Sequence, residues 1–196
     1  MGSPTPDELK LLGKYIIQHK CKFILEVGGG VSTQYLGKAA EITKAKMISI
    51  DTVYDGCKPQ FSNIEYMYGW SITQDDIITK HSSQFYPSPY KHLPDEPFAL
   101  GYKVIPPPCD FIRKAFNKYL FDFYFGDSGE YCGLAEWNIV KPLIQVGGIV
   151  ALHDIHYPKS IKNFQVYKEI KESSSWHIHI KTDSKAGLVI AERILE

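Results

Sequence analysis

The sequence lacks any long run of apolar residues. Its apolar stretches fall well short of the ~20 residues that a membrane-spanning helix needs. Residues 1–6 also lack the charged and apolar parts of a secretory leader. We therefore expect a protein that does not use a membrane as a partner.

An excess of one charge is missing too. The 22 Lys and Arg residues balance the 22 Asp and Glu residues, so the formal net charge is +0. Proteins that bind nucleic acids or anionic membranes need a positive field to attract phosphates. Neither nucleic acid nor a membrane surface is an expected partner.

Cysteine is scarce, and its spacing carries no metal or redox motif. The chain has four cysteines and no Cys-x-x-Cys pair, and no asparagine lies in an Asn-x-Ser/Thr glycosylation sequence. A secreted domain of this kind would usually carry a framework of disulfides. This pattern predicts a reducing compartment, and we expect a cytoplasmic protein.

What the sequence does contain is an alternation of short apolar runs with segments of helical periodicity. Strands are predicted over residues 23–27, 47–50, 64–67, 121–125, 149–152, 176–181 and 188–191. Helices are predicted over residues 6–18, 32–40, 73–81, 110–119, 134–145 and 161–172. This order predicts one α/β domain over residues 1–196, with a Rossmann-like, mostly parallel seven-stranded sheet, helices on both faces and a C-terminal antiparallel hairpin.

Three glycines directly after the first strand form the most informative local feature. Gly28 begins this turn, where bare backbone can touch a ligand. A dinucleotide fingerprint would place its third glycine where Thr33 stands. Glu26 favours a cationic ligand such as a sulfonium over two phosphates. Asp51 ends the second strand 23 residues after Gly28, near the ~20-residue offset of ribose-binding acids. The pattern therefore predicts an adenosyl sulfonium ligand.

Four motifs follow one another along the chain between about residues 20 and 160. They are Glu26-Val27-Gly28-Gly29-Gly30, Gly30-Val31-Ser32-Thr33, Phe125-Gly126-Asp127-Ser128-Gly129, and the segment from Val146 to Asp154. On these motifs the sequence resembles class I S-adenosylmethionine-dependent methyltransferases, and the small-molecule O-methyltransferases in particular. The resemblance implies S-adenosylmethionine (SAM) as cofactor and transfer of its methyl group to a hydroxyl of a small molecule.

The resemblance also implies which residues hold the cofactor. They lie in the first motif, at the end of the second strand, after the third strand and at the end of the fourth. The implied set is Glu26, Gly28, Gly29, Gly30, Ser32, Thr33, Asp51, Thr52, Gly69, Trp70, Ser71 and Asp127.

Two acidic residues end strands that are predicted to be neighbours. Metal-dependent members of the family place ligands for a divalent ion, Mg²⁺ or Mn²⁺, at these strand ends, here Asp127 and Asp154. Ile155 occupies the place where a third acid or amide ligand commonly stands, so His153, His156 or water would have to complete the site. The alternative without metal has Asp127 orienting loop backbone and Asp154 capping the next helix.

A hydroxyl nucleophile must also lose its proton. His156 is the preferred general base because it follows the fifth strand and an unperturbed imidazole accepts a proton near neutral pH. His153 is the second candidate, and Glu130 is a weaker third.

Residues 84–109 form an insertion that holds seven of the chain's twelve prolines beside several aromatic residues. Such a segment suits a lid over the cleft, and its rings suit an aromatic or sugar substrate. The same composition suits a subunit interface, so a homodimer is an open alternative.

Two other functions remain open at this stage. A methyltransferase-like module that binds or assembles without turnover is one, because no clear base motif is present. An NAD-dependent oxidoreductase is the other, although Thr33 disfavours it.

Overall fold

Seven strands form one mixed sheet in the computed structural model. The structure describes residues 3–52, 61–76, 108–116, 120–129, 132–157, 159–160 and 162–195. The strands are β1 (Phe23–Val27), β2 (Lys46–Asp51), β3 (Ile64–Tyr68), β4 (Phe121–Gly126), β5 (Ile144–His153), β6 (Trp176–Lys181) and β7 (Leu188–Arg193). Their order across the sheet is β3-β2-β1-β4-β5-β7-β6.

The first five strands pair in parallel, whereas β7 runs antiparallel to both β5 and β6. The mostly parallel sheet and the C-terminal hairpin are therefore confirmed. The chain reverses direction across the sheet between β1 and β4, which is the switch point at which such sheets bind ligands.

Helices cover both faces of this sheet. They are α1 (Pro6–Gln18), α2 (Val31–Thr43), α3 (Phe111–Phe116), α4 (Gly133–Val140) and α5 (Phe164–Glu172). Apolar side chains of α1 and α2 share one core cluster with Ile24 of β1. Those of α3, α4 and α5 share the other with Leu25 and Val27. The central strand therefore buries both faces, which is why its apolar run is nearly continuous.

The predicted ends of three elements needed correction. The helix predicted to reach residue 145 stops at Val140, and Pro142 lies in the 3-10 turn Lys141–Leu143. Proline has no N–H for the next helical hydrogen bond. β5 then begins at Ile144 and contains a register shift against β4, so Gly147 (φ +81°) belongs to a strand irregularity and does not end a helix. The last helix begins at Phe164, later than expected.

Two further predictions fall partly or largely outside the described residues. Of the helix predicted over residues 73–81, the structure describes a 3-10 turn at Gln74–Asp76. Of the proposed lid over residues 84–109, only residues 108 and 109 lie within the described part of the chain. The lid stays a prediction. In the described residues, no helix has both the length and the apolar character needed to cross a bilayer.

The N-terminal helix is fastened to the β6–β7 turn by one buried carboxylate. Glu8 forms the expected capping box with Thr5, whose backbone N–H donates to Glu8 Oε2 over 2.8 Å. The hydroxyls of Thr182 and Ser184 both donate to Glu8 Oε1 over 2.6 Å. Burial raises the pKa of Glu8, but the hydrogen bonds from Ser184, Thr182 and Thr5 outweigh it, and the net pKa is lowered.

We expect Glu8→Gln to lower the free energy of unfolding by about 1 kcal/mol at pH 7, because several hydrogen bonds to a charged group are weakened. A lowered folded-state pKa stabilises the protein above the unfolded-state pKa, and this contribution is lost as the pH falls through the folded-state value. Urea unfolding at pH 7 and at acidic pH should therefore show the two proteins converging in acid. Asp7→Asn, at the neighbouring exposed position, is the control and should change little. An equal gap at both pH values would contradict the ionic role of Glu8.

Candidate functional site

The glycine turn brings the ends of three strands into backbone contact. Gly28 has φ +89°, and its N–H donates to Ile50 O over 2.9 Å. The N–H of Asp127 donates to Val27 O over 2.9 Å. A Cβ on residue 28 would lie 2.3 Å from Asp127 O, so only glycine fits there. The turn therefore holds the carboxyl ends of β1, β2 and β4 next to one another.

Glu26 lies behind this turn, inside the protein. It is fully buried, and its carboxylate accepts hydrogen bonds of 2.6 Å from the hydroxyls of Ser32, Thr33 and Ser49. Burial raises the pKa of Glu26 to about 7, against the opposing effect of these three hydroxyls. The expectation that Glu26 puts negative charge into the cleft is therefore wrong. Its carboxylate instead fixes the turn to the first residues of α2.

A cavity of about 250 Å³ opens at the carboxyl edge of the strands, in front of the glycine turn. It contains eight of the residues predicted to hold the cofactor: Gly28, Gly29, Asp51, Thr52, Gly69, Trp70, Ser71 and Asp127. Its other lining residues are Val27, Ile50, Ser128, Gly129, Cys132 and Glu136. Of the predicted set, Glu26, Gly30, Ser32 and Thr33 are not among the residues that line it. Their described contacts support the turn.

Glu136 is the main residue of this site that the sequence did not reveal. It lies on α4 with no exposed surface, and its carboxylate accepts hydrogen bonds from the hydroxyls of Ser71 and Ser128. Burial raises its pKa. Each serine hydroxyl has one proton and donates it to Glu136, so each offers only lone pairs to a ligand in the cavity. The one available signal was an acid within an otherwise apolar stretch, Leu134 to Trp137.

Four ionisable groups meet beside the cavity, where β4 and β5 end. Lys162 Nζ lies 2.8 Å from Asp127 Oδ1 and 2.7 Å from Asp154 Oδ2. His153 Nδ1 lies 3.3 Å from the same oxygen of Asp127 and 3.7 Å from Asp154 Oδ2. Asn163 holds the strand ends together by donating to the backbone oxygens of residues 126 and 153. Lys162 and Asn163 were not predicted as site residues.

The backbone at Asp154 lies in the left-handed region, with φ +61°. Asp and Asn adopt this region more readily than other residues that carry a Cβ. Asp154 is also almost fully buried.

The two histidine candidates lie in different surroundings. Burial lowers the pKa of His153, but Asp127 and Asp154 outweigh it and raise the value to about 9. The two carboxylates therefore favour the protonated form of His153, which disfavours it as the base. His156 Nδ1 lies 3.0 Å from Ser184 O, against the β6–β7 turn, and His156 is not among the residues lining the cavity. Its role as the base stays a prediction.

Solved structures provide the comparison with known proteins. The O-methyltransferase from Bacillus cereus, in complex with S-adenosylhomocysteine (SAH), is 16% identical; 97% of this chain and 82% of that one align with a TM-score of 0.64. The O-methyltransferase TomG from Streptomyces achromogenes, involved in tomaymycin synthesis and in complex with SAM, is 13% identical over 98% and 82% of the two chains, with a TM-score of 0.58.

A third similar structure is the MycE methyltransferase of mycinamycin biosynthesis, in complex with Mg, SAH and mycinamycin VI. It is 11% identical over 92% of this chain and 48% of its own, with a TM-score of 0.57. No protein-family model matches the sequence. No curated protein matches it either. At these identities the likeness concerns the fold, and on that ground the chain has the Rossmann-like fold of the class I SAM-dependent methyltransferases.

Proposed function

We propose that this protein is a SAM-dependent methyltransferase that acts on a hydroxyl group of a small molecule. The observation that carries the proposal is the cavity at the sheet's switch point, where eight predicted cofactor residues meet. The fold alone would not be sufficient, because one fold supports many functions.

The chemistry of the cavity wall suits an adenosyl ligand. Asp51, at the end of β2, offers a carboxylate to the ribose hydroxyls. Ser71 and Ser128, which donate their protons to Glu136, offer acceptors to the amino group of adenine. The bare backbone at Gly28 and Gly29 lets the amino-acid part of the ligand approach closely.

Asp127 lines the cavity and also belongs to the group of four ionisable residues beside it, which we call the ion cluster: Asp127, His153, Asp154 and Lys162. When bound, SAM supplies a methyl carbon that its sulfonium already activates, so the protein mainly aligns the acceptor. We assign to Asp127 the tasks of orienting the acceptor hydroxyl and taking its proton. Lys162 and His153 hold the Asp127 carboxylate in place. His156 is the alternative base.

The proposal also covers the substrate class and the cellular compartment, which rest on composition and on the cysteines. An aromatic or sugar acceptor is inferred from the composition of residues 84–109. Cys21, Cys109 and Cys132 carry free thiols, which supports a reducing compartment such as the cytoplasm. Residues 84–109 are also where a homodimer interface would be sought.

Calorimetry with SAH tests the cofactor half of the proposal. Wild-type protein should bind SAH, and Asp51→Ala should weaken binding by about 1–3 kcal/mol, or about 5–150-fold in Kd, because the ribose hydroxyls lose a charged acceptor. Asp183→Ala removes an equal charge at a highly exposed position and should bind as wild type does. No heat from folded wild-type protein would reject the proposal.

Titration with NADH tests the oxidoreductase alternative. NADH should give no heat, and binding of NADH without binding of SAH would favour an oxidoreductase.

A binding module without turnover is the second candidate function. It is favoured by one observation: the Asp127 carboxylate, to which we assign the proton, is already paired with the Lys162 ammonium. SAH binding combined with no methylation across a panel of phenols, catechols and sugars would favour this candidate.

A further inference from the structure

A lysine ammonium lies between the two carboxylates at the ends of β4 and β5. Lys162 Nζ is 2.8 Å from Asp127 Oδ1 and 2.7 Å from Asp154 Oδ2. The side chains of Lys162 and Asp154 are only 5% and 2% exposed. Long charged side chains are seldom buried to this degree unless a specific partner holds them. The ammonium is therefore a built part of the cluster.

The same cluster has the composition of a metal site. Asp127, His153 and Asp154 each offer a ligand atom, and these atoms lie within 4.8 Å of one another. Of the similar structures, MycE is in complex with Mg. A divalent ion bound by carboxylates lies ~2.0–2.6 Å from its oxygen ligands. An ion shared by Asp127 Oδ1 and Asp154 Oδ2 would compete for the place between them that Lys162 Nζ already takes.

The balance of charge leads to the same result. Asp127 and Asp154 carry two negative charges, and the Lys162 ammonium is in contact with both. Adding a divalent ion beside this ammonium would bring like charges close together in a largely buried place, which is costly. The residues present therefore do not fit a divalent ion while Lys162 keeps its position.

We propose that the Lys162 ammonium takes the place of a divalent metal between Asp127 and Asp154, so that this chain holds its carboxylate pair without a metal ion. The amine is then the feature that excludes the ion. Removing it should turn the same carboxylates into a metal site. This inference concerns metal binding alone and does not depend on the proposed methyl transfer.

Mn²⁺ titration of the full chain, followed by electron paramagnetic resonance, tests the proposal. Wild-type protein should bind no stoichiometric Mn²⁺. Lys162→Ala should bind one ion, with a Kd at least about tenfold lower than that of any weak binding by wild type, because its two carboxylates have lost the charge of the ammonium. Lys162→Arg keeps a cation at the position and should behave as wild type does. The double variant Lys162→Ala/Asp154→Asn should lose the site again. Mn²⁺ should also raise the Tm of Lys162→Ala but not of wild type.

Two results would overturn the proposal. One is stoichiometric Mn²⁺ binding by wild-type protein that Asp154→Asn abolishes. The other is a folded Lys162→Ala protein, verified by circular dichroism, that binds Mn²⁺ no better than wild type. Should Lys162→Ala fail to fold, Lys162→Gln keeps most of the side-chain volume and is judged by the same two results.

Discussion

Replacing Gly28 with alanine is expected to abolish SAH binding and to lower the free energy of unfolding by about 2–5 kcal/mol, the combined cost of a left-handed backbone and of overpacking. Gly28 has φ +89°, and its Cβ would lie 2.3 Å from the oxygen and 2.5 Å from the carbonyl carbon of Asp127. These are backbone atoms of the neighbouring strand end, so no side-chain rotation relieves the clash. The ends of β1 and β4 must separate, and the cavity between them loses its wall.

Gly147→Ala is the matched control for this prediction. Gly147 also has a positive φ, +81°, but nothing lies within 4 Å of the place where its Cβ would be. It should therefore cost only about 1–2 kcal/mol, the backbone term alone, and leave SAH binding unchanged. Urea unfolding and calorimetry on both variants separate backbone strain from the clash. Wild-type affinity in Gly28→Ala would show that the contact between β1 and β4 does not shape the ligand site.

The elements around β1 could be predicted because their signals are local. The apolar run at β1 is buried on both faces, and the glycines after it end the strand where the turn requires φ values that other residues avoid. The capping box of Thr5 and Glu8 marks the start of α1 in the same local way. The parallel pairing of the sheet and its ligand-binding edge then follow from the alternation of strands and helices, whereas the strand order came from the structure.

The predicted end of α4 and the predicted start of β5 were wrong because local sequence signals conflict there. The segment around residues 141–148 has helical periodicity before Pro142 and apolar strand character after it. In the fold the chain leaves α4 before the proline and joins the sheet at Ile144, because pairing with Phe121 of β4 begins there. That pairing is a contact between distant residues, so no window of sequence contains it.

The charged residues of the site show a second limit of the sequence. Glu26 points toward α2 because alternation along β1 puts it on the same face as Ile24, and its three partners then make it a structural residue. Glu136 accepts a hydrogen bond from Ser71, which is 65 residues away in the sequence. Lys162 donates one to Asp127, which is 35 residues away. The sequence indicated which strand ends carry chemistry, but the partners of each charge came only from the folded chain.

Asp127→Asn is expected to lower kcat by about 10²–10⁴-fold with any acceptor that the wild-type protein methylates, because the amide cannot take the hydroxyl proton. Asparagine keeps the side-chain volume and the backbone contacts of residue 127 with Val27 and Gly28. SAH affinity should therefore change by only a few-fold. A phenol, catechol and sugar panel with labelled SAM measures kcat, and calorimetry measures SAH binding.

Asp154→Asn distinguishes this role from a general disturbance of the ion cluster. It removes the same charge from the same lysine, but Asp154 is 2% exposed and is not among the residues that line the cavity. Its kcat should fall by less than about tenfold, since it cannot reach the acceptor proton. Equal losses in both variants would mean that Asp127 acts through the cluster and not on the acceptor. If Asp127→Asn keeps its rate while His156→Gln loses it, the proton goes to His156, and the acceptor must then lie toward the β6–β7 turn.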